Sequence, residues 1–251
     1  MKRLCLFLAL GPACAWSIDI PRIGFARDAQ GHVVAINGIA GNFLVDETPS
    51  AATATAFSWN GVTGVLKTDA AVELWDASGV VVATIDSPTA GDAIIGFGEQ
   101  GAWVYSKSIL YRVSELRMQQ IPVSLSSTEE VVLALAGGRE TIDIALRRAG
   151  AVYIATFDIG SGSRVAEVPI ARRASTVLLF LGGGRMAGVD GLALWVTRAD
   201  GSEWSVDTGV ALGSLAWMGR EWIQAGSGLA LRIRAGAEPA LYGLPRTAAA
   251  E

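Results

Sequence analysis

The sequence predicts an all-β protein in which a unit of four short strands is repeated along the chain. Three observations support this prediction. The chain of 251 residues contains 30 glycines, its apolar segments are short and alternate with polar residues, and a Gly-bearing turn recurs about every 40 residues. Short strands at regular spacing are typical of sandwiches, barrels and repeat arrays, and a period near 40 residues favours an array.

The repeat is clearest at five turns, each of which follows an apolar run and precedes an alternating strand. The turn glycines are Gly61, Gly101, Gly138, Gly183 and Gly219, which are 40, 37, 45 and 36 residues apart. The second half of each unit is a strand, a turn rich in Asp and Gly, and another strand, as in "AVELWDASGVVVATI". Asp side chains cap such turns and Gly adopts positive φ there. Each unit therefore holds four strands, called A to D in chain order.

This pattern resembles the β-propeller superfold, in the loose company of secreted bacterial YVTN-like and WD40-like repeat proteins. The resemblance implies a single propeller of four-stranded blades over residues 23–244, with six blades favoured and five blades closed by an N-terminal hairpin as the alternative. The segment 23–38 is predicted to be a C–D hairpin, to which "NFLVDE" at 42–47 adds a strand. The paired GH and WD signatures of WD40 repeats and the Asp-box of sialidases are missing, so no specific family is identified.

The segment "TVLLFLGGGRMAG" at 176–188 matches the G-x-G-x-x-A pattern of a dinucleotide-binding loop. Such a loop requires a helix of about ten or more residues after its glycines. Here only residues 185–190 separate Gly184 from Gly191, and the apolar strand "LALWVTR" follows. We therefore predict an A–B hairpin turn, no nucleotide site and no cofactor.

The first fifteen residues contain the three parts of a secretory signal peptide in the right order. A basic pair at 2–3 precedes an apolar run at 4–10, and Ala13 and Ala15 stand at the −3 and −1 positions of an A-x-A cleavage site. The sequence thus predicts that residues 1–15 are removed and that the protein is periplasmic or extracellular.

Export determines which chemistry remains in the mature chain. Cys5 and Cys14 both lie in the predicted signal peptide, so the mature chain has no disulfide and no thiolate. A lead at 16–22 and a disordered tail at 245–251 flank the predicted propeller. No other stretch reaches the roughly 18 unbroken apolar residues of a membrane span, so no transmembrane segment is predicted after signal removal.

Charge and histidine content exclude several functional classes. The formal net charge of −4 and the pI of about 5.2 give no basic stripe, so we expect no nucleic-acid partner. His32 is the only histidine, which excludes His-clustered zinc and leaves Ser–His–Asp catalysis only if His32 is the base. His32 follows a hairpin glycine and is expected to be exposed.

The D–A and B–C loops of a propeller share one face, where the candidate ligand-binding residues lie. Eight charged residues of these loops are the candidates: Lys67, Asp69, Asp92, Lys107, Glu130, Arg147, Arg172 and Asp190. Their signs are mixed, so we predict no metal site and assign no catalytic residue. The favoured function is a non-enzymatic propeller that binds a protein, peptide or glycan. The alternative is a glycosidase-like or metal-dependent lactonase-like hydrolase or lyase, which requires three carboxylates within about 5 Å of one another in the funnel.

Two pairs of tryptophans occupy matching places in the repeat. Trp75 and Trp195 fall on strand C of their units, and Trp103 and Trp222 fall on strand B. Large aromatic side chains at repeated positions are predicted to pack between blades rather than to form a ligand platform.

Overall fold

The structure is a computed structural model that describes residues 20–47, 52–114, 117–123, 125, 131–170, 175–198 and 200–245. The predicted signal peptide, the first four of the seven lead residues and all but the first residue of the tail lie outside these residues. In the described part of the chain the regular secondary structure is 23 β-strands with no helix, which confirms the all-β prediction. The same residues accordingly contain no helix of a length and apolarity that could cross a bilayer.

The described strands form five hydrogen-bonded sheets, one of which has eight strands. The eight-stranded sheet consists of two four-stranded antiparallel units joined by one parallel strand pair. Each of these units is counted as a sheet below, so that sheets I to VI follow in chain order. Sheet I holds β1 (Arg22–Arg27), β2 (Val33–Ile39) and β3 (Asn42–Glu47). Sheet II holds β4 (Ala56–Trp59), β5 (Gly64–Lys67), β6 (Ala71–Trp75) and β7 (Val81–Asp86). Sheet III holds β8 (Ile94–Gly98), β9 (Gly101–Ser106), β10 (Ile109–Ser114) and β11 (Arg117–Ile121).

Sheets IV to VI repeat the same four-strand plan. Sheet IV holds β12 (Val131–Gly137), β13 (Thr141–Arg148), β14 (Ala151–Asp158) and β15 (Arg164–Ile170). Sheet V holds β16 (Val177–Gly182), β17 (Arg185–Asp190), β18 (Ala193–Thr197) and β19 (Glu203–Asp207). Sheet VI holds β20 (Leu215–Gly219), β21 (Trp222–Ala225), β22 (Leu229–Arg232) and β23 (Ala240–Gly243). In each of sheets II to VI the strands pair in chain order, so the predicted A-to-D units are confirmed.

Six apolar cores lie between consecutive sheets and arrange the sheets in a ring. Sheet I illustrates the principle, because successive strand residues point to opposite faces. Phe25 packs into the core shared with sheet II, whereas its neighbour Ala26 packs into the core shared with sheet VI. The first strand of each sheet contacts the first strand of the next, and these strands surround the axis of the ring.

One pair of first strands approaches closely enough to hydrogen bond. Strands β8 and β12 run parallel, with Phe97 opposite Ala136 and Gly98 opposite Gly137. A Cβ atom on Gly98 would lie 2.1 Å from the Gly137 carbonyl oxygen, so only glycine permits this contact.

Sheet I corrects the prediction that 23–38 is a C–D hairpin. Its first strand, β1, is the innermost strand of sheet I and contacts both β4 and β20. Strand β1 also runs opposite to the other inner strands, as its contacts with β20 show. Gly24 of β1 lies against the carbonyl of Met218, near the end of β20. Arg27, at the end of β1, hydrogen bonds to the side chain of Gln224, which is paired with Ala216 near the start of β20. The hairpin is therefore an inner pair. The local turn could not reveal this, because the same turn chemistry serves either pair of strands.

The glycine-rich segment is a hairpin turn, as predicted. Strand β16 ends at Gly182 and β17 begins at Arg185, so Gly183 and Gly184 form the two-residue connection. Their φ angles of 60° and 74° are the two positive values that a type I′ turn requires. A strand follows the glycines where a dinucleotide-binding loop requires a helix.

The four repeated tryptophans are packing residues, as predicted. Trp75 and Trp195 lie on the third strands of sheets II and V, and Trp103 and Trp222 lie on the second strands of sheets III and VI. Their exposed fractions are 2%, 1%, 0% and 7%. All four belong to the cores between sheets.

Candidate functional site

An axial cavity of about 520 Å³ lies at one end of the ring. The first residues of β4, β8, β12, β16 and β20 line it, together with the last residues of β1 and the turn that follows. These inner strands are apolar because each lies between two neighbouring sheets. The wall combines polar atoms with aliphatic side chains, among them Ile95, Leu133, Leu179 and Leu215.

The cavity lies at the end where the predicted ligand-face loops meet. The connection that enters β16 bonds to the end of β17, since the Thr176 N–H donates to the Val189 carbonyl. The connection that leaves β19 bonds to the turn after β17, since the Thr208 N–H donates to the Leu192 carbonyl. The D–A and B–C connections of sheet V therefore share one end of the ring, as predicted.

Three charged side chains stand in the described part of the cavity lining: Arg27, Asp28 and Arg147. The Arg27 guanidinium donates from Nη1 to the carbonyls of Ala54, at 3.3 Å, and Thr55, at 2.5 Å. Arg147 is partly buried, and its side chain makes no hydrogen bond or ion pair with any residue that the structure describes. Neither guanidinium has a carboxylate partner within the described residues.

The Asp28 carboxylate is committed to its own turn. It accepts the N–H groups of Gln30 and His32 at 2.9 and 2.8 Å, and the His32 ring Nδ1 lies 3.5 Å away. The Asp28 side chain is only 9% exposed, whereas that of His32 is 49% exposed, as the sequence predicted. Among the residues that the structure describes, the cavity lining thus presents more positive than negative charge to a ligand.

A polar network fixes the geometry of the cavity rim. The side-chain amide of buried Gln224 accepts the Arg27 N–H at 2.8 Å and donates to the Arg27 carbonyl. Across the same rim, the Trp217 N–H donates to the buried Ser58 hydroxyl at 3.1 Å. These bonds connect sheet VI to sheets I and II where β1 runs against the direction of its neighbours.

A second cavity of about 650 Å³ opens beside the first, between sheets I and VI. Its walls are aliphatic, with Ile36, Val45, Leu212 and Leu229 among them. The two cavities share the turn after β1 and the turn after β21.

Four of the eight candidate residues lie together at the connection between β7 and β8, and none of them lines the axial cavity: Lys67, Asp69, Asp92 and Lys107. The Asp69 carboxylate accepts the Gly91 N–H at 2.7 Å, and the Lys107 ammonium approaches the same glycine. Lys67 has no exposed surface. Its ammonium donates to the carbonyls of Thr68 and Thr89, at 2.9 and 2.7 Å.

The position of Lys67 corrects its assignment as a ligand-facing residue. Its side chain turns inward to hold the β7–β8 connection, so no ligand can reach it. Burial lowers the pKa of the Lys67 ammonium, while the carboxylates of Asp69 and Asp92 oppose that shift.

The remaining candidates are spread around the ring. Arg147 is the one member of the predicted set that lines the axial cavity in the described chain. Asp190 ends β17 and is partly buried. Glu130 and Arg172 lie outside the described residues.

Sequence reasoning missed Arg27, Ser58 and Gln224. The signal for Arg27 was the run of apolar residues on both faces of 23–26, which indicates a strand buried on two sides. The sequence itself carried no comparable signal for Ser58 or Gln224.

The cavity contains no obvious metal site in the part of the chain that the structure describes. No group of three or more His, Cys, Asp or Glu side chains converges among those residues. Asp28 is the acidic residue in the described lining, and its carboxylate is held by its own turn.

The comparison with known proteins rests on structure. No protein-family model matches the chain, and no curated protein matches it. One similar structure is a β-propeller chain from the crystal structure of a nidogen/laminin complex. It aligns with a TM-score of 0.55 at 8% identity, over 84% of this chain and 89% of that one. This similarity shows that the chain has a β-propeller-like fold.

Two further solved structures align less closely. PorZ, an essential bacterial surface component of the type-IX secretion system of Porphyromonas gingivalis, has a TM-score of 0.49 at 10% identity, over 90% of this chain and 39% of that one. The structure of U3-55K has a TM-score of 0.44 at 13% identity, over 73% of this chain and 62% of that one.

Proposed function

We propose that the chain is a six-bladed β-propeller, with sheet I as its incomplete blade, that binds a peptide segment of a partner protein in the axial cavity. The observation that carries this proposal is the convergence of apolar inner-strand residues on one cavity of about 520 Å³. Ligand pockets typically have volumes of about 300–1,000 Å³, and the volume of this cavity lies in that range. The propeller in the nidogen/laminin complex, which also has a protein partner, is consistent with this role.

The aromatic side chains favour a peptide over a glycan. A sugar-binding site commonly offers an exposed aromatic face. In the described lining the aromatic residue is Phe57, which is 5% exposed. The repeated tryptophans, whose indoles could form such a face, are committed to the cores between sheets. The aliphatic side chains in the wall instead suit Leu, Ile or Val side chains of a peptide.

No specific observation favours the hydrolase or lyase alternative. That reaction class needs two or three carboxylates aimed at a substrate. The Asp28 carboxylate points back into its own turn, so the described lining offers no such set.

The proposal can be tested with a displayed random-peptide library selected on the purified protein, followed by affinity measurements on two tryptophan variants. Gly213 lines the axial cavity, and a Cβ atom built on it meets no other atom within 4 Å. Gly213→Trp should therefore fold and obstruct the cavity. Gly243 has the same open surroundings on the outer strand β23, so Gly243→Trp is the matched control.

We expect selected peptides to bind the wild type and Gly243→Trp equally, and to bind Gly213→Trp at least tenfold more weakly. A library that yields no binding peptide would contradict the proposal. Selected peptides that bind Gly213→Trp as well as the control would place the binding site elsewhere and also contradict it.

We also propose that residues 1–15 direct export and that the mature chain begins at or within two residues of Trp16. The ordered basic, apolar and small-residue regions support this. N-terminal sequencing of protein from the cell-envelope fraction tests it, and an intact Met1 in soluble cytoplasmic protein would refute it.

A further inference from the structure

We infer that the segment bound in the axial cavity is acidic: an apolar side chain contacts the aliphatic wall, and carboxylates on either side of it pair with Arg27 and Arg147. This inference rests on the proposed function and specifies the chemistry of the partner. The position, burial and unused hydrogen-bonding capacity of the two guanidiniums support it.

Arg147 provides the first argument. It lies on β13 opposite Val131, at the cavity end of sheet IV, and is partly buried. Its side chain has no partner among the described residues. Removing a guanidinium from water without a partner is unfavourable, whereas a carboxylate there forms charge-assisted hydrogen bonds. Within the described residues, the Arg147 guanidinium therefore remains available to pair with a carboxylate of a ligand.

Arg27 provides the second argument. The two carbonyls of Ala54 and Thr55 engage only Nη1 and hold the side chain in place at the rim. A guanidinium has five N–H donors in a fixed fork, so Nη2 and Nε remain available to a carboxylate. Because the side chain is already fixed, less conformational entropy is lost when a ligand binds.

The arrangement of the sheets separates the two cations. Arg27 belongs to sheet I and Arg147 to sheet IV, which are three sheets apart in either direction around the ring. The aliphatic inner strands lie between them. A ligand that reaches both cations therefore carries two acidic groups with an apolar group between them. An extended acidic–apolar–acidic peptide segment has this order of side chains.

Other charged groups that the structure describes near the cavity do not oppose this interpretation. The Asp28 carboxylate accepts two backbone N–H groups, so it does not compete for the guanidiniums. Neither Arg27 nor Arg147 forms an ion pair with a described acidic residue.

The test measures fluorescence anisotropy of a labelled nine-residue peptide with a central Leu flanked on each side by Glu. The same peptide with Gln in place of Glu is the uncharged control. Binding is measured to wild type, Arg147→Gln and Arg139→Gln at low and moderate salt. Arg139 is an exposed arginine in the β12–β13 turn, at the other end of the same sheet, so its variant matches the change in net charge.

We expect the Glu peptide to bind the wild type about tenfold more tightly than the Gln peptide, because a charge-assisted hydrogen bond is replaced by a neutral one. Arg147→Gln should remove most of this difference, and Arg139→Gln should leave it unchanged. The difference between the affinities of the Glu and Gln peptides for the wild type should become smaller as the salt concentration rises. Equal binding of the two peptides, or equal losses in the two variants, would overturn the inference.

The outcomes for the partner chemistry and for the cavity are separable. If the Gln peptide binds as well as the Glu peptide and Gly213→Trp abolishes both, the cavity binds peptides and the acidic assignment is wrong. If neither peptide binds and the library yields none, the proposed function itself is wrong. Comparing the two peptides on the wild-type protein needs no variant, so the result does not depend on how Arg147→Gln folds.

Discussion

Replacing Trp195 with Ala should lower the stability of the protein by about 3–5 kcal/mol. The indole is 1% exposed and lies in the core between sheets IV and V, beside Leu133 and Leu178. Its cross-strand partner is Gly188, and a Cβ atom there would lie 2.3 Å from the indole ring. The ring therefore covers the bare backbone of its partner strand.

The magnitude follows from this geometry. An aromatic side chain buries about 150–250 Å². At about 25 cal/mol per Å² of apolar surface, this corresponds to about 4–6 kcal/mol as an upper estimate. Gly188 has no side chain to move into the space left by Trp195→Ala, so the cavity relaxes little. The Trp195 ring N–H also donates to the buried Ser175 hydroxyl at 3.2 Å, and this bond is lost.

Urea unfolding of wild type and Trp195→Ala measures the effect, with a lower midpoint and an unchanged m-value as the expected result. Trp195→Phe keeps a ring but loses the hydrogen bond, so it should cost less. Trp204 lies on β19 of the same sheet and is only partly buried, which makes Trp204→Ala a control with a smaller expected loss. A loss below about 1 kcal/mol for Trp195→Ala would show that the indole is not a core residue and would refute the packing argument.

Three further predictions concern turns and buried charge. Hydrogen bonds, first of all from a serine hydroxyl, lower the pKa of the carboxyls of Asp76, Asp158 and Asp200. The stability that these ionised carboxylates contribute should be complete above the ordinary Asp pKa and should be lost as pH falls through the lowered pKa values. The urea midpoint of the wild type should therefore fall below about pH 4, and this fall should be smaller when all three residues are replaced with Asn. Because burial lowers the pKa of Lys67, the unfolded chain keeps this proton to higher pH than the folded chain. The wild type should therefore gain stability relative to Lys67→Met as pH rises towards about 10.4. A difference in the free energy of urea unfolding between the two proteins that stays constant between about pH 8 and pH 10 would contradict this. Gly183→Asn should lower the unfolding midpoint less than Gly183→Val, because Asn adopts positive φ far more readily than a β-branched residue, and equal midpoints would argue against the type I′ turn.

The four-strand units could be predicted from the sequence because their causes are local. Alternating apolar residues specify strands, and the turn chemistry at Gly183 and Asp76 specifies hairpins without reference to the rest of the chain. The same local reasoning separated the glycine-rich turn from a nucleotide-binding loop. It also assigned Trp195 to a core, since the repeat places it at the same strand position as Trp75.

Only the tertiary structure decided how the units meet. The hairpin at 23–38 has the same turn signals whether it is inner or outer, and packing against both sheets II and VI made it the inner pair. The sequence places Lys67 among the candidate residues of the ligand face, yet carbonyls of Thr68 and Thr89 hold it in the interior. Arg27 and Arg147 are 120 positions apart in sequence and line one cavity because the sheets form a ring. Strand formation depends on neighbours along the chain, whereas the composition of this cavity depends on which distant strands the apolar cores bring together.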